Sequence, residues 1–258
     1  MQDILFVLSG LVVGTIIGLT GVGGGSLMTP LLIMGFGISP AAAVGTDLLF
    51  AAVTKFGGTL KLAQQRLVPW NKVALLSVGS IPAALATLVV LHTMGAATAQ
   101  TDQLIRQGLG CALLLTAVAT LIKVFVAHTP ALGTTRTRAQ AHWSWPVLLG
   151  AVIGSLVTLT SVGAGAIGVT ALLLLFPSLA LPRVVAADLA YAVPLTLVAG
   201  LGHASLGTVD WHLLALLLCG SLPGIWLGAH LLGKSNPRVI RSALSVLLAA
   251  AGFKLLAW

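Results

Sequence analysis

The sequence predicts an all-α polytopic membrane protein built from two inverted structural repeats of about five hydrophobic segments each. Three observations carry this. Only 7% of the 258 residues are charged and 58% are hydrophobic, against roughly 25% charged in a soluble domain, so the chain must use lipid as its solvent. Ten apolar segments follow one another, separated by basic or glycine-rich stretches. The same ordered residues also recur in both halves at one spacing.

The first segment, about 4–20, has no basic leader and no clear cleavage site, and reads as a retained span. It ends in Gly21-Val22-Gly23-Gly24-Gly25. The second, 26–36, is too short for an upright span of about 20 residues; a half-helix in a re-entrant hairpin and a short buried span both fit it. The third, 41–62, carries Asp47 and Lys55. The fourth, 71–93, contains Gly79-Ser80-Ile81-Pro82, and the fifth, 104–126, contains Cys111. A polar stretch, 128–144, with His128, Arg136, Arg138 and His142, reads as a basic linker between an N-terminal repeat (1–127) and a C-terminal one (145–258). The sixth segment, 146–160, ends in Ser161-Val162-Gly163-Ala164-Gly165, and the seventh, 165–177, is again short. The eighth, 184–203, holds Asp188, Pro194 and His203; the ninth, 212–232, holds Cys219 and Gly220-Ser221-Leu222-Pro223; the tenth covers 239–256.

Asp47-Leu48 matches Asp188-Leu189, Trp70 matches Trp211, and Gly79 matches Gly220 at a shared spacing of 141 residues (188 less 47). Thr20, Val22, Gly23 and Gly25 match Thr160, Val162, Gly163 and Gly165 at a spacing of 140. Lys61, Arg66, Lys72, the linker, Arg183 and the group Lys234, Arg238 and Arg241 all fall on one side when the segments are stepped through. By the positive-inside rule that side is cytoplasmic. Five segments per half is an odd number, so the second copy is inverted.

The chemistry is expected at the glycine breaks and the intramembrane charges. Irregular backbone at membrane depth must be buried or line a cavity, and helix N-termini after such breaks present free N–H groups suited to an anion. Close packing is the competing role for glycine, and Gly10, Gly14, Gly18, Gly220, Gly224 and Gly228 suit it. Ionisable groups within a bilayer face the bundle interior or a water-filled path. Thr46, Asp47, Thr54 and Lys55 form one polar stripe at 100° per residue; Lys55 either attracts an anion or snorkels to the edge. Asp188 either carries a proton or caps and packs. His203 either titrates in coupling or sits at an interface.

The chain contains no Glu, no GxSxG, no HExxH and no P-loop lysine motif, so paired-carboxylate catalysis and the common hydrolase and nucleotide chemistries are not expected. The two cysteines form no CxxC and have no histidine at metal-ligand spacing, so no metal and no cofactor is expected. The net charge of +8 comes without interleaved aromatics, which argues against nucleic acid.

Gly18-Leu19-Thr20-Gly21-Val22-Gly23-Gly24-Gly25-Ser26 with Pro30, Val44-Gly45-Thr46-Asp47-Leu48-Leu49, Gly79-Ser80-Ile81-Pro82 and their second-half echoes resemble the motifs of the TauE/SafE family of sulfite and organosulfonate exporters. The resemblance implies a multi-pass secondary carrier of the bacterial cytoplasmic membrane. Its partners would be the lipid bilayer and a small sulfur-containing anion, with other substrates such as thiosulfate, a carboxylate or a metal ion left open, and a homodimer left open as the assembly. A non-transporting membrane assembly or sensor protein is the alternative of a different class. The resemblance also implies that Thr20, Gly21, Val22, Gly23, Gly24, Gly25, Ser26, Thr46, Asp47, Thr160, Ser161, Gly163, Gly165 and Asp188 line the substrate site. The residues themselves add Lys55 to the substrate-binding set and make Asp47, Asp188 and His203 the proton-coupling candidates. Many relatives carry Ser or Asn where this chain has Asp47. A charged Asp47 opposes an anion, so its protonation together with substrate is expected.

Overall fold

The computed structural model describes residues 2–20, 24–95, 98–126, 143–176, 178–231 and 237–257. They form ten α-helices: α1 (Gln2–Thr20), α2 (Gly25–Phe36), α3 (Pro40–Gln64), α4 (Trp70–Met94), α5 (Ala99–Val126), α6 (Ser144–Thr160), α7 (Ala166–Leu175), α8 (Leu181–Ser205), α9 (Trp211–Leu231) and α10 (Pro237–Ala257). No strand occurs among the described residues. The ten apolar segments are these ten helices. The largest boundary difference is in α5, which begins at Ala99 rather than 104. Its first turns are polar, and Asp102 there accepts a hydrogen bond from Ala41 N at the start of α3 (3.2 Å). The basic stretch 128–142, with Arg136 and Arg138, lies outside the described residues, as does Lys234.

Five helices (α1, α4, α5, α8 and α9) are long and apolar enough to cross a bilayer. α3 matches them in length at 25 residues, but it carries Asp47 and Lys55 in its middle. α2 has 12 residues and α7 has 10. At 1.5 Å per residue they reach about 18 and 15 Å, short of the ~30 Å hydrocarbon core, so neither crosses by itself.

Glycine decides how the helices approach. A Cβ on Gly10 or Gly14 would land on the backbone of Leu217 or Ser221, and one on Gly220, Gly224 or Gly228 would land on Val7, Leu11 or Thr15. α1 and α9 therefore pack in parallel, backbone to backbone. α4 and α6 do the same, with Gly79 on Val147, Gly150 on Leu76 and Gly154 on Ser80. By contrast α3 and α8 run antiparallel, with Gly200 against Leu49 and Gly58 against Leu189, and so do α5 and α10, with Gly110 against Gly252 and Leu256. Helices held only by dispersion in lipid need this close approach.

One end of the bundle gathers the basic residues Lys61, Arg66 and Lys72 and the start of α8 with Arg183. Lys72 Nζ sits 4.5 Å over the Phe176 ring just after α7. Exposed Trp70, Trp143 and Trp145 sit at the starts of α4 and α6 at this end, and exposed Trp211 starts α9 at the opposite end. Tryptophans at both ends suit two membrane interfaces. The outer lipid-facing surface carries bare apolar side chains such as Val78, Val89, Leu174 and Phe253.

Candidate functional site

The two breaks meet inside the bundle. A Cβ on Gly25 would land on the backbone oxygen of Ser161. In the second break Thr160 folds back on itself: its hydroxyl donates to Leu156 O (2.7 Å) and accepts from Val162 N (3.1 Å). Ser161 caps α6 with φ 58°, and Gly163 and Gly165 follow at φ 133° and 131°. Those two angles suit glycine alone among common residues, so the break is required by the backbone path. In the first break Gly24 is the N-cap of α2 and its oxygen accepts from Leu27 N and Met28 N. Gly21, Val22 and Gly23 lie outside the described residues, as does the side chain of Thr20.

A cavity of about 260 Å³ opens beside the breaks. Its wall takes Ile17 from α1, Gly24 from the first break, Thr54, Lys55, Gly58 and Leu62 from α3, Gly165 from the second break, Val185, Asp188 and Leu189 from α8, and Ile225 from α9. It lies on the basic side of Asp47. The N-cap residues of α2 and α7, Gly24 and Gly165, both border it, so the starts of two short helices meet one space. Lys55 resolves in favour of the interior: its Nζ donates to Ala164 O in the second break (3.4 Å), and the carboxyls of Asp188 and Asp47 both act on it electrostatically. It is half-buried by area because the cavity reaches it.

Asp47 is fully buried, about two turns along α3 from the cavity towards the opposite end. Its Oδ2 accepts from Thr29 Oγ1 at 2.5 Å. Ser161 lies beside the carboxyl, although neither Ser161 Oγ nor Asp47 Oδ1 completes a hydrogen bond of good geometry. The carboxyl thus ties α2, α3 and the second break together. Asp188 is 2% exposed and lies two turns inside α8. Its carboxyl abuts Gly168 of α7, as does the Tyr191 hydroxyl. Gly168 thereby leaves room for the carboxylate.

Other expected positions lie elsewhere. Ser26 is buried in the first turn of α2. Thr46 is buried away from the cavity, and its hydroxyl accepts from Asp210 N (3.0 Å). His203 is buried near the non-basic end, with Nδ1 on Thr208 Oγ1 (2.9 Å) and Nε2 on Thr158 O (3.0 Å). Sequence reasoning missed Thr29, Thr158, Thr208 and Tyr191. Threonines are common in membrane helices, and nothing in the spacing of Thr29 marks its hydroxyl as the one that meets a carboxylate 18 residues on. Tyr191, the chain's single tyrosine, three residues after Asp188, was the one available signal.

The family model for the sulfite exporter TauE/SafE matches residues 6–255. The chain is 36% identical to the probable membrane transporter protein YjnA of Bacillus subtilis (strain 168), over 99% of this chain and all of that one. It is 25% identical to the probable membrane transporter protein YunE and 26% identical to YdhB, both of the same organism, over at least 98% of each chain. No solved structure matches.

Proposed function

The chain belongs to the sulfite exporter TauE/SafE family, and from that premise we propose that this multi-pass membrane transporter exports a small sulfur oxyanion, sulfite or an organosulfonate such as sulfoacetate, across the bacterial cytoplasmic membrane. The observation that carries the reading is the cavity itself, where one lysine and the starts of two short helices meet the same enclosed volume. Sulfonate oxygens accept from N–H groups and an ammonium, and the apolar wall of Leu62, Val185, Leu189 and Ile225 excludes competing water.

Alternating access is the mechanism we favour. The basic end is cytoplasmic by charge, so the cavity faces the cytoplasm. Helix pairs related by five in chain order obey one symmetry: α1 with α9 repeats α6 with α4, while α3 with α8 and α5 with α10 are antiparallel self-pairs. The glycine contacts repeat almost residue for residue, Gly79 on Val147 and Gly220 on Val7. This supports inverted repeats that rock about a shared site. Asp47, buried against Thr29 and Ser161, is the proposed proton carrier.

Flux of radiolabelled sulfite and sulfoacetate into proteoliposomes of the purified protein tests the reading. Saturable uptake driven by an imposed pH gradient, and abolished in Lys55→Met, is expected. Equal flux of wild type and Lys55→Met would overturn it.

A further inference from the structure

The end of the bundle opposite the cavity is closed by hydrogen bonds between buried polar groups of several helices. Thr46 of α3 accepts from the backbone N–H of Asp210 at the start of α9 (3.0 Å), and Asp210 in turn accepts from Leu213 N (2.9 Å). His203 of α8 reaches Thr158 of α6 through Nε2 (3.0 Å) and Thr208 through Nδ1 (2.9 Å). A carbonyl only accepts, so Nε2 carries a proton. Thr208 also contacts the backbone oxygen of its neighbour His203 (2.9 Å). Thr46, Thr158, His203 and Thr208 are each at most 7% exposed. Gly45 is pressed into this cluster: a Cβ there would lie 2.9 Å from both Thr208 oxygens and 3.1 Å from His203 Cβ.

The 141-residue register shows what stands at the mirrored positions. Thr46 corresponds to Ala187, His203 to Leu62, Thr208 to Leu67 and Asp210 to Pro69. Acceptor and donor vanish together, since alanine has no hydroxyl and proline no N–H. Leu62 instead lines the cavity, and Leu67 packs at the edge of the apolar cluster around α3 and α8. One end is thus held by directional bonds between buried polar groups, where the mirrored positions of the other end carry apolar side chains.

We propose that Thr46, Asp210, His203, Thr158 and Thr208 form the outer gate of the carrier, a hydrogen-bonded lock that holds the outside closed while the cavity faces the cytoplasm. The inference rests on the alternating-access reading. Opening outward must break the Thr46–Asp210 bond, because it joins α3 to α9 across the two halves. Buried groups that lose partners are costly, so the lock biases the resting carrier towards the cytoplasmic side. At the mirrored positions Ala187, Leu62 and Leu67 have no polar side chain and Pro69 has no N–H, so the same bonds cannot form there. The resting bias therefore favours loading from inside, as an exporter requires.

Cysteine accessibility tests the gate without any substrate. In a background of Cys111→Ala and Cys219→Ala, a reporter is placed at Ala199, buried one turn inward of His203, and a second at Leu62 in the cavity. A membrane-impermeant maleimide is applied to each face. Wild type should label at position 62 from the cytoplasmic face and hardly at 199 from outside. Thr46→Val should raise outer labelling at 199 roughly ten-fold, the shift expected for one unpaired buried donor, and lower inner labelling at 62. Thr46→Ser, which keeps the hydroxyl, should restore the wild-type pattern. Equal labelling in the Val and Ser variants, or a rise at both faces in Thr46→Val, would overturn the lock. Wild-type flux with an unmoved labelling pattern would sink the gate and leave the carrier standing, whereas loss of saturable flux in wild type sinks the carrier itself.

Discussion

α3 and α8 occupy equivalent places in the two halves, and each carries an aspartate at the same register, Asp47 and Asp188. Eight residues on they part. α3 has Lys55, which reaches Ala164 O in the second break; α8 has Thr196, which turns its hydroxyl back to Ala192 O (2.8 Å). The two carboxyls also differ. Asp47 is held by Thr29 away from the cavity wall, while Asp188 is on that wall beside the lysine. The matched positions thus keep the aspartate and differ in the lysine, and the cavity is lined by one lysine and by residues from both ends of the chain.

The largest effect should come from removing that asymmetry. Lys55→Met is expected to cut oxyanion flux roughly 100-fold, the scale of losing one partner of a buried charge pair, while Thr196→Val leaves flux near wild type. Initial rates in proteoliposomes read both. If the double variant Lys55→Thr with Thr196→Lys transports as well as wild type, the two helices are interchangeable and the comparison fails. Asp188→Asn sharpens it further. Asp188 competes with substrate for Lys55, so its neutral variant should lower KM a few-fold without raising turnover.

Asp47→Asn should come next, with flux falling on the order of ten-fold, a typical coupling free energy. Wild-type flux is expected to rise as pH falls on the side where proton and anion load together, because the proton joins the transported complex. The asparagine is neutral at every pH, so that dependence should flatten. Unchanged rate together with an unchanged pH profile in Asp47→Asn removes Asp47 from coupling. Asp188→Asn should keep the slope.

The stability comparison between halves is smaller and symmetric. Gly79→Ala drives a Cβ into Val147, and Gly220→Ala drives one into Val7. Forcing backbones apart costs about 1–3 kcal/mol, and the two substitutions should lower the melting temperature in detergent by similar amounts. Gly57→Ala, with open space around it, should leave it unchanged. A large effect at only one of the two packing glycines would show that the halves have diverged in packing as well as in charge.

Much of this was legible in the sequence because lipid restricts what a chain can do. Ten apolar runs became ten helices, and the second break became a turn whose positive φ angles require Gly163 and Gly165. Lys55 and Asp188 were expected near the site and line one cavity. What the sequence left hidden was direction. Thr46 and Lys55 lie on the same helix, yet Thr46 bonds Asp210 and Lys55 bonds Ala164. Helix periodicity places residues on a face, but crossing partners come from other helices far along the chain. The same applies to His203, whose interfacial position gave no hint that both ring nitrogens would be engaged within the bundle.

The smallest test concerns the tips of the two short helices. α2 ends at Phe36, whose ring lies 4.7 Å from that of Phe6 at 47°. Phe176 follows the end of α7, with Lys72 Nζ 4.5 Å over its ring. Equivalent tips are therefore anchored by an aromatic pair in one half and a cation–π contact in the other. Each is worth about 0.5–1.5 kcal/mol. Phe6→Leu and Lys72→Met should each lower the melting temperature slightly in dilute buffer. Salt separates them, because it screens the half-buried ammonium of Lys72 and leaves an aromatic pair untouched. At 1 M salt the effect of Lys72→Met should shrink while that of Phe6→Leu persists. If both effects respond alike, the anchors are equivalent apolar contacts, and the charge difference between the halves is confined to the cavity and the outer lock.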